Sequence, residues 1–332
     1  MKKRLHFVTL YSIFFALSLF ILPVKTFPQH FIFQTGTVKW EAGVNLGPSF
    51  FLGDLGGNVG KGTRFIKDLN LEFTNLMTGV FVTAYPNDWM GVRIAAEMGK
   101  LQGDDAAVNT KGVDELWRKQ RNLDFRTNIT EGYVAIEFFP LMLLTSFQEN
   151  QPRLRPYGVG GLGMFHFNPQ GSITDASGNK TWVYLQPLRT EGEGMKEYPG
   201  RKEYKLTQFN IPLGFGLKYF VSERLNLSTE FLYRKTFTDY IDDVSTAYID
   251  PNNFARYLSA ADARIARQVS DKTIGIVTPG INRYAPGTQR GNPKQDDAYF
   301  NFFLKIGVRL GEIYGSASER NSAHQLRCPH IF

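Results

Sequence analysis

Cysteine is almost missing from this chain: Cys328 is the only one in 332 residues. One thiol excludes an internal disulfide framework and a multi-cysteine metal centre. Histidine is nearly as scarce, and His6, His30, His166, His324 and His330 show no ligand spacing. No serine, cysteine or carboxylate constellation sets a nucleophile beside a base, so no enzymatic activity and no cofactor are expected. Beyond the first two dozen residues, no apolar run approaches the ~18 residues that a spanning helix needs. A chain of this kind that sits in a membrane must cross it with strands.

The N-terminus is different. Lys2, Lys3 and Arg4 precede an apolar run from about Val8 to Val24, the basic and hydrophobic regions of a secretory signal. No small-x-small site stands out; cleavage is expected near Thr26 to Gln29, which makes residues 1–29 a signal peptide. An uncleaved membrane anchor is the alternative. Cleavage removes Lys2, Lys3, Arg4 and Lys25, which lowers the formal charge from +7 to +3. The basicity is therefore no argument for a nucleic-acid partner. No cysteine follows the apolar run, so no lipid anchor is expected there.

What the chain has in abundance is phenylalanine, tyrosine and glycine, at 28, 15 and 32 residues, a mixture that favours strands. Alternation with a period of two recurs along it. In "FNIPLGFGLKYF", Phe209, Ile211, Leu213, Phe215, Leu217 and Tyr219 alternate with Asn210, Pro212, Gly214, Gly216 and Lys218. The same pattern marks Val38–Phe50, Trp89–Gly99, Thr130–Phe139, Leu225–Phe237 and Ala298–Gly311, and more weakly Leu76–Tyr85 and Pro156–Phe167. One face is almost wholly apolar; the other mixes glycine, asparagine and charge. A soluble sandwich also alternates, but its outer face is wet and carries the charges. Aromatics gather at segment ends as two girdles: Trp40, Tyr85, Trp89, Phe138 and Tyr219 at one, Phe50, Phe167, Phe237 and Phe300 at the other. The expected fold is all-β, an antiparallel transmembrane barrel of about eight strands over residues 38–314. Three joints are short or moderate (Pro86–Asp88, Leu141–Arg153, Ser222–Arg224). Four are long (about Leu52–Leu71, Gln102–Leu123, Asn168–Glu203 and Thr238–Asp296). Short turns face the periplasm and long loops the exterior. Both ends then lie in the periplasm, with residues 315–332 as a tail that docks on a partner or frays.

The inward positions carry Glu41, Glu97, Glu131, Glu137 and Glu230 against Arg93, Lys218, Arg234, Lys305 and Arg309. An eight-stranded barrel is just wide enough for side chains to fill. Charges inside it must pair or meet water. Five acids against five bases therefore predict an ion-paired, closed interior; a conducting or proton-relaying lumen is the alternative. Pro212 has no N–H to give a closed sheet, and a bulge is expected there.

Other motifs are weaker. Gly158, Gly160 and Gly163 match GxGxxG, but inside a strand-like run with no helix after it. Asp175–Asn179 lacks the glycine and terminal glutamate of a calcium loop at the right offsets, and a plain turn is expected. The pairs Asp104–Asp105, Asp242–Asp243 and Asp296–Asp297 read as solvated loop charge, with a weak divalent-ion site as the alternative. In the last loop, Asp250 as N-cap and Pro251 at N1 predict a short amphipathic helix. Its apolar stripe would be Phe254, Tyr257, Leu258, Ala261 and Ile265, packed over the barrel mouth or offered to a partner.

Several stretches together resemble the PorG-like outer-membrane barrel family associated with type IX secretion. They are "EAGVNLGPSFFLGDLGGN" with "FIKDLN", "FRTNITEGYVAIEFF", "TDYIDDVSTAYID" and the closing "LRCPHIF". The loop from Thr238 to Asp250 is the most specific, with Asp239, Tyr240, Asp242, Asp243, Ser245 and Thr246 at its centre. The resemblance implies a small non-enzymatic barrel in outer-membrane lipid that anchors a periplasmic secretion ring built by a lipoprotein and its partner. No small-molecule substrate is evident in the sequence. An outward-facing adhesin or receptor acting through the long loops is the alternative function, and a small-solute channel a third.

Overall fold

The computed structural model describes residues 38–55, 74–107, 113–144, 152–175, 177–274 and 284–310. The expected signal peptide and the expected tail lie outside them. Among the described residues ten strands are formed: β1 (Lys39–Leu52), β2 (Asn75–Tyr85), β3 (Met90–Asp104), β4 (Asp124–Phe138), β5 (Leu154–His166), β6 (Gln170–Thr174), β7 (Lys180–Tyr184), β8 (Thr207–Phe220), β9 (Leu225–Thr236) and β10 (Ala298–Leu310). Eight of them run β3-β2-β1-β10-β9-β8-β5-β4, all antiparallel, and the pairing of β3 with β4 closes the ring. Closure leaves no free edge, which is what lipid demands of a sheet. The remaining two, β6 and β7, form a hairpin outside the ring that pairs with β4 only at Arg126↔Gln170.

Burial alternates along every barrel strand, and it is inverted relative to a soluble protein. The large apolar side chains face outward: Leu162 is 71% exposed, Leu304 68%, Phe209 66% and Phe215 65%, whereas Glu41, Arg93, Glu137 and Arg234 are 0% exposed. That distribution suits lipid as the outer solvent. Near the extracellular ends of β1, β9 and β10 rings of outward parity pack into a cluster, in which Phe302 is exposed while Phe50 and Phe300 are buried. Phe50 stacks on Phe300 at 4.9 Å, and Phe231 lies 5.0 Å from Phe302. Two residues assigned to the girdles face the other way. Tyr85 points into the lumen, and Phe167 is fully buried against Phe165 and Tyr204 at the base of the loops. Parity decides between the two fates, because an aromatic ring suits both places.

No bulge occurs at Pro212. The register of β8 against β9 is unbroken, and against β5 it is the same on both sides of the proline. The ladder simply lacks the rungs from Gly161 and Leu162 to Ile211 and Pro212. The missing N–H opens two rungs and inserts no residue. Pro48 does the same between β1 and β10, where the rungs at Gly47 and Pro48 are absent. Gly47 allows the backbones to approach there: a Cβ at this position would sit 1.9 Å from the Phe302 carbonyl oxygen.

Beyond the barrel the long connections carry structure of their own. β3 and β4 each run for 15 residues, longer than the 9–11 that cross a bilayer, so their hairpin projects outward. It carries helix α1 (Val113–Arg121). In the last loop Asp250 caps a 3-10 turn by accepting from Asn252 N. A short helix, α2 (Phe254–Tyr257), follows, and Ser259 then caps a second, α3 (Ala260–Ser270). The expected single helix is thus broken at Leu258, whose extended backbone rotates the later stripe. Phe254, Ala263, Ala266 and Val269 are buried, whereas Ala261 is exposed. With Leu185, Leu188, Met195 and Ile249 they make a second apolar core, separate from that of the barrel. Asp175 shapes the tip of the β6–β7 hairpin by accepting from Ser177 N and Asn179 N, the plain turn expected.

Leu213 faces outward near the middle of β8 and is half exposed. Leu213→Arg is expected to destabilise the barrel by ~2–4 kcal/mol in lipid. Denaturant titration in bilayers checks it, and an unchanged midpoint would mean this face does not meet hydrocarbon.

Candidate functional site

The lumen is filled by charged side chains arranged in two layers. In the layer nearer the periplasm, Arg93 sits between two carboxylates. Its Nε donates to Glu137 at 2.7 Å, and its two terminal nitrogens grip Glu230 at 2.9 and 2.7 Å. Lys218 donates to Glu41 at 2.9 Å, to Tyr85 Oη at 2.6 Å and to Glu137 at 3.3 Å. Lys305 reaches Glu230 at 3.1 Å, and Tyr157 Oη donates to the same carboxylate at 2.6 Å. Three acids meet three bases. In the outer layer Arg234 bridges Glu97 and Glu131. Here carboxylates outnumber bases, and neutral donors take up the spare lone pairs. Asn45 and Tyr133 donate to Glu97 at 2.7 and 3.0 Å, and Asn210 donates to Glu131 at 2.7 Å.

Nine of the ten expected interior charges are therefore brought together. Arg309 is not among them. It lies opposite Glu41 in register, as its parity predicts. The two oxygens of Glu41 are taken by Lys218 and by Asn226, each at 2.9 Å. The Arg309 side chain turns instead to the periplasmic rim and lies over Phe220, its guanidinium carbon 4.3 Å from the ring centroid. The lumen thus holds five acids and four bases. Asn45, Tyr85, Tyr133, Tyr157, Asn210 and Asn226 add neutral partners to the network. Asn45 and Asn210 stand on the polar faces of their strands, so parity is a usable signal for them. Tyr85 and Tyr157 are hidden by being aromatic.

Fully buried ionic side chains exclude water from around them, so no aqueous path runs between the two layers along these groups. Burying ions is costly unless each is paired and hydrogen-bonded, and the bidentate Arg93–Glu230 fork is the strongest such arrangement available.

The loop that carries the family resemblance forms the centre of the extracellular cap. Asp242 accepts from Leu55 N and Val244 N, both at 3.0 Å. Asp243, at φ 63° in the left-handed region, accepts from Tyr204 Oη at 2.6 Å and from Thr190. Tyr240 stacks on Tyr204 at 4.6 Å. Ser245 N and Thr246 N donate to the two oxygens of Glu191 at 3.0 and 2.7 Å. Two arginines then join the loops. Arg290 donates to Glu191 at 3.0 Å and to the Asp243 carbonyl at 2.6 Å. Arg121 holds Asp105 at 2.7 Å, the Arg290 carbonyl at 2.6 Å and the Asp54 carbonyl at 2.7 Å. All four long connections meet in this pair. Glu191, Arg121 and Arg290 are not marked in the sequence, since nothing local distinguishes a residue that acts across tens of positions or more.

Four of the six paired aspartates are not solvated, contrary to expectation: Asp105, Asp242, Asp243 and Asp297 are buried, whereas Asp104 is half-buried and Asp296 is exposed. Among the described residues no group of three or more His, Cys, Asp or Glu is arranged to hold a metal ion. Burial instead pushes the carboxyls up. Asp239 is raised to about 9, by burial first and then by Asp54, Asp242 and Glu191, against a hydrogen bond from Ser245. Glu193 is raised to about 8 by burial, Asp243 and Glu191. Asp243 is raised to about 6 by burial, with Arg290 opposing. Asp242 and Asp297 are raised well above the usual range, again by burial and by their carboxylate neighbours.

The family described as "Outer membrane protein beta-barrel domain" matches residues 13–260, about three quarters of the chain. The chain belongs to that family. It is an outer-membrane protein of a Gram-negative-type cell. In fold it is similar to a major outer membrane protein from Thermus thermophilus (11% identity, 83% of this chain and 100% of that one, TM-score 0.36). It is also similar to OprG from Pseudomonas aeruginosa (9%, 83% and 97%, 0.35) and to Ail, the attachment invasion locus protein of Yersinia pestis (9%, 82% and 97%, 0.31). No curated protein matches it.

Two outcomes are expected from this geometry. Arg93→Met strands Glu137 and Glu230 without their shared partner and should cost roughly 3–5 kcal/mol, read from denaturant unfolding in detergent; a loss under about 1 kcal/mol, the worth of an exposed pair, would remove Arg93 from the centre of the network. The cap carboxyls bind protons more tightly folded than unfolded, where their pKa is ~4. Their stabilising effect is therefore complete below pH ~4 and is lost as pH rises through about 6, 8 and 9. Hydrogen exchange at residues 239–246, corrected for intrinsic rates, should speed up from about pH 5 to 9 while β-strand amides hold; protection that grows with pH would reverse the sign.

Proposed function

We propose that this barrel is a non-enzymatic structural component of the outer membrane that anchors periplasmic partners of a type IX secretion machine. The observation that carries the reading is the sealed lumen: Glu41, Arg93, Glu137 and Arg234 have no exposed surface. A barrel with no passage works at its ends. The PorG-like stretches, above all Thr238–Asp250, support the secretion assignment, and the outer-membrane family is consistent with it. An N-terminal signal peptide over residues 1–29 would deliver the chain, and the tail 315–332 would supply part of the periplasmic contact.

One observation favours a second reading. The extracellular loops own a separate apolar core around Phe254, Ala263 and Val269, more organisation than simple connectors need. A loop domain of this kind would suit an outward-facing binding protein.

The two are separated by deletion. Affinity capture of the detergent-solubilised chain should retain the ring lipoprotein in stoichiometric amount, lose it when residues 315–332 are removed, and keep it when residues 168–203 are shortened. Loss on loop shortening alone would favour the outward-facing reading.

A further inference from the structure

The periplasmic mouth of the barrel is a basic pocket. It measures about 650 Å³, and Arg153, Arg155, Arg224 and Arg309 stand on its wall with a single carboxylate, Glu223. Its centre is Phe220. The guanidinium carbons of Arg155 and Arg309 each lie 4.3 Å from the centroid of this one ring. Stacking of that kind occupies the flat face of a guanidinium and leaves its N–H edge for an in-plane acceptor; for Arg155 the Pro152 carbonyl already accepts from Nε at 3.0 Å. The Arg309 Nε is buried and has no hydrogen-bond partner among the described residues. Backbone hydrogen bonds hold the wall rigid: Arg309 N donates to Arg224 O at 2.8 Å, and Phe220 N to Arg153 O at 2.8 Å. Among the described residues, neither Arg224 nor Arg309 forms an ion pair within 4.0 Å, unlike the lumen charges above them.

A barrel that pairs nearly every interior charge has thus gathered four arginines at one opening. Two of them are fixed on the same ring, where like charges repel. We infer that this mouth binds an acidic peptide segment of a periplasmic protein, its carboxylates bridging the N–H edges of Arg309, Arg224 and their neighbours. The residues argue for carboxylates spread along a chain over one compact anion, because the four cations come from three different stretches around a wide opening. They also argue against a lipid headgroup, because Arg155 and Arg309 share the inward parity of the lumen and the strands stand between them and the bilayer. Arginine is the side chain suited to forked recognition of a carboxylate.

This deepens the anchoring reading by giving the chemistry of the partner's contact, and it rests on that reading only for the partner's source. The test is binding of fluorescently labelled hexaglutamate to the detergent-solubilised full chain, followed by anisotropy. Hexalysine and inorganic phosphate are run as the other arms. Saturable binding of hexaglutamate is expected, weakened by salt, with none of hexalysine. The double variant Arg224→Gln, Arg309→Gln should bind about tenfold more weakly or worse. Arg256→Gln, on the extracellular side, should bind as the wild type does. Heat-modifiable migration in gels confirms that each variant is folded. Arg309→Lys keeps the charge, loses the fork and should fall between. No saturable binding, or equal affinity in the double variant, overturns the inference. Displacement of the peptide by micromolar inorganic phosphate overturns the peptide class. A mouth that binds hexaglutamate in a chain that captures no secretion-ring protein leaves the site standing and removes the type IX reading; the converse removes the site alone.

Discussion

Arg93 is the constraint on which the rest of the molecule turns. Its guanidinium joins Glu137 on β4 to Glu230 on β9, strands that are not neighbours in the ring. With Lys218 joining β8 to β1 and β4, the bonds cross the interior where a wider barrel would hold water. An ion pair in such a place is weak evidence for stability, since desolvation offsets much of the attraction. It is strong evidence for shape. Each base meets its acids in one register only, so strand register, shear and the absence of a channel are specified together.

The outer face and the inner face answer to different solvents, and that makes the fold legible. Strands are read by parity, and parity survives even where composition is odd, as in the glycine-rich β5. The lumen charges follow from the same rule, because an inward position in a narrow barrel leaves a charge nowhere to go but to a partner. The rule fails in two identifiable places. It cannot say which way along the axis a long side chain turns, so Arg309 is grouped by parity with charges that it does not join. Aromatic rings also suit lipid interface and packed lumen alike, so the sequence alone puts Tyr85 and Phe167 on the wrong side.

The loops are legible only in fragments. Asp250 and Pro251 announce a helical start, and local chemistry suffices for it. The break at Leu258 and the true buried stripe depend on the hairpin β6–β7 and on Leu185 and Met195 in another connection, which no local pattern reveals. The same holds for Arg121 and Arg290. Each resembles any other arginine in sequence, and each is defined by carbonyl and carboxylate oxygens supplied from distant loops. The acidic pairs show the cost of reading charge without burial: each of the three has a member held away from solvent by backbone N–H groups or by Arg121.

Pro48 bears on how the cylinder is made. It interrupts the ladder between the first strand and the last, the one joint that cannot form until the whole sheet exists. Two rungs are missing there, so the joint consists of a stretch from Trp40 to Leu46 and a shorter one from Ser49 to Leu52. A ladder that closes along this joint has to step over those two rungs without a change of register. The longer stretch lies on the periplasmic half, next to the side from which outer-membrane barrels are delivered, and the shorter one near the exterior is clamped by the stacked rings of Phe50 and Phe300.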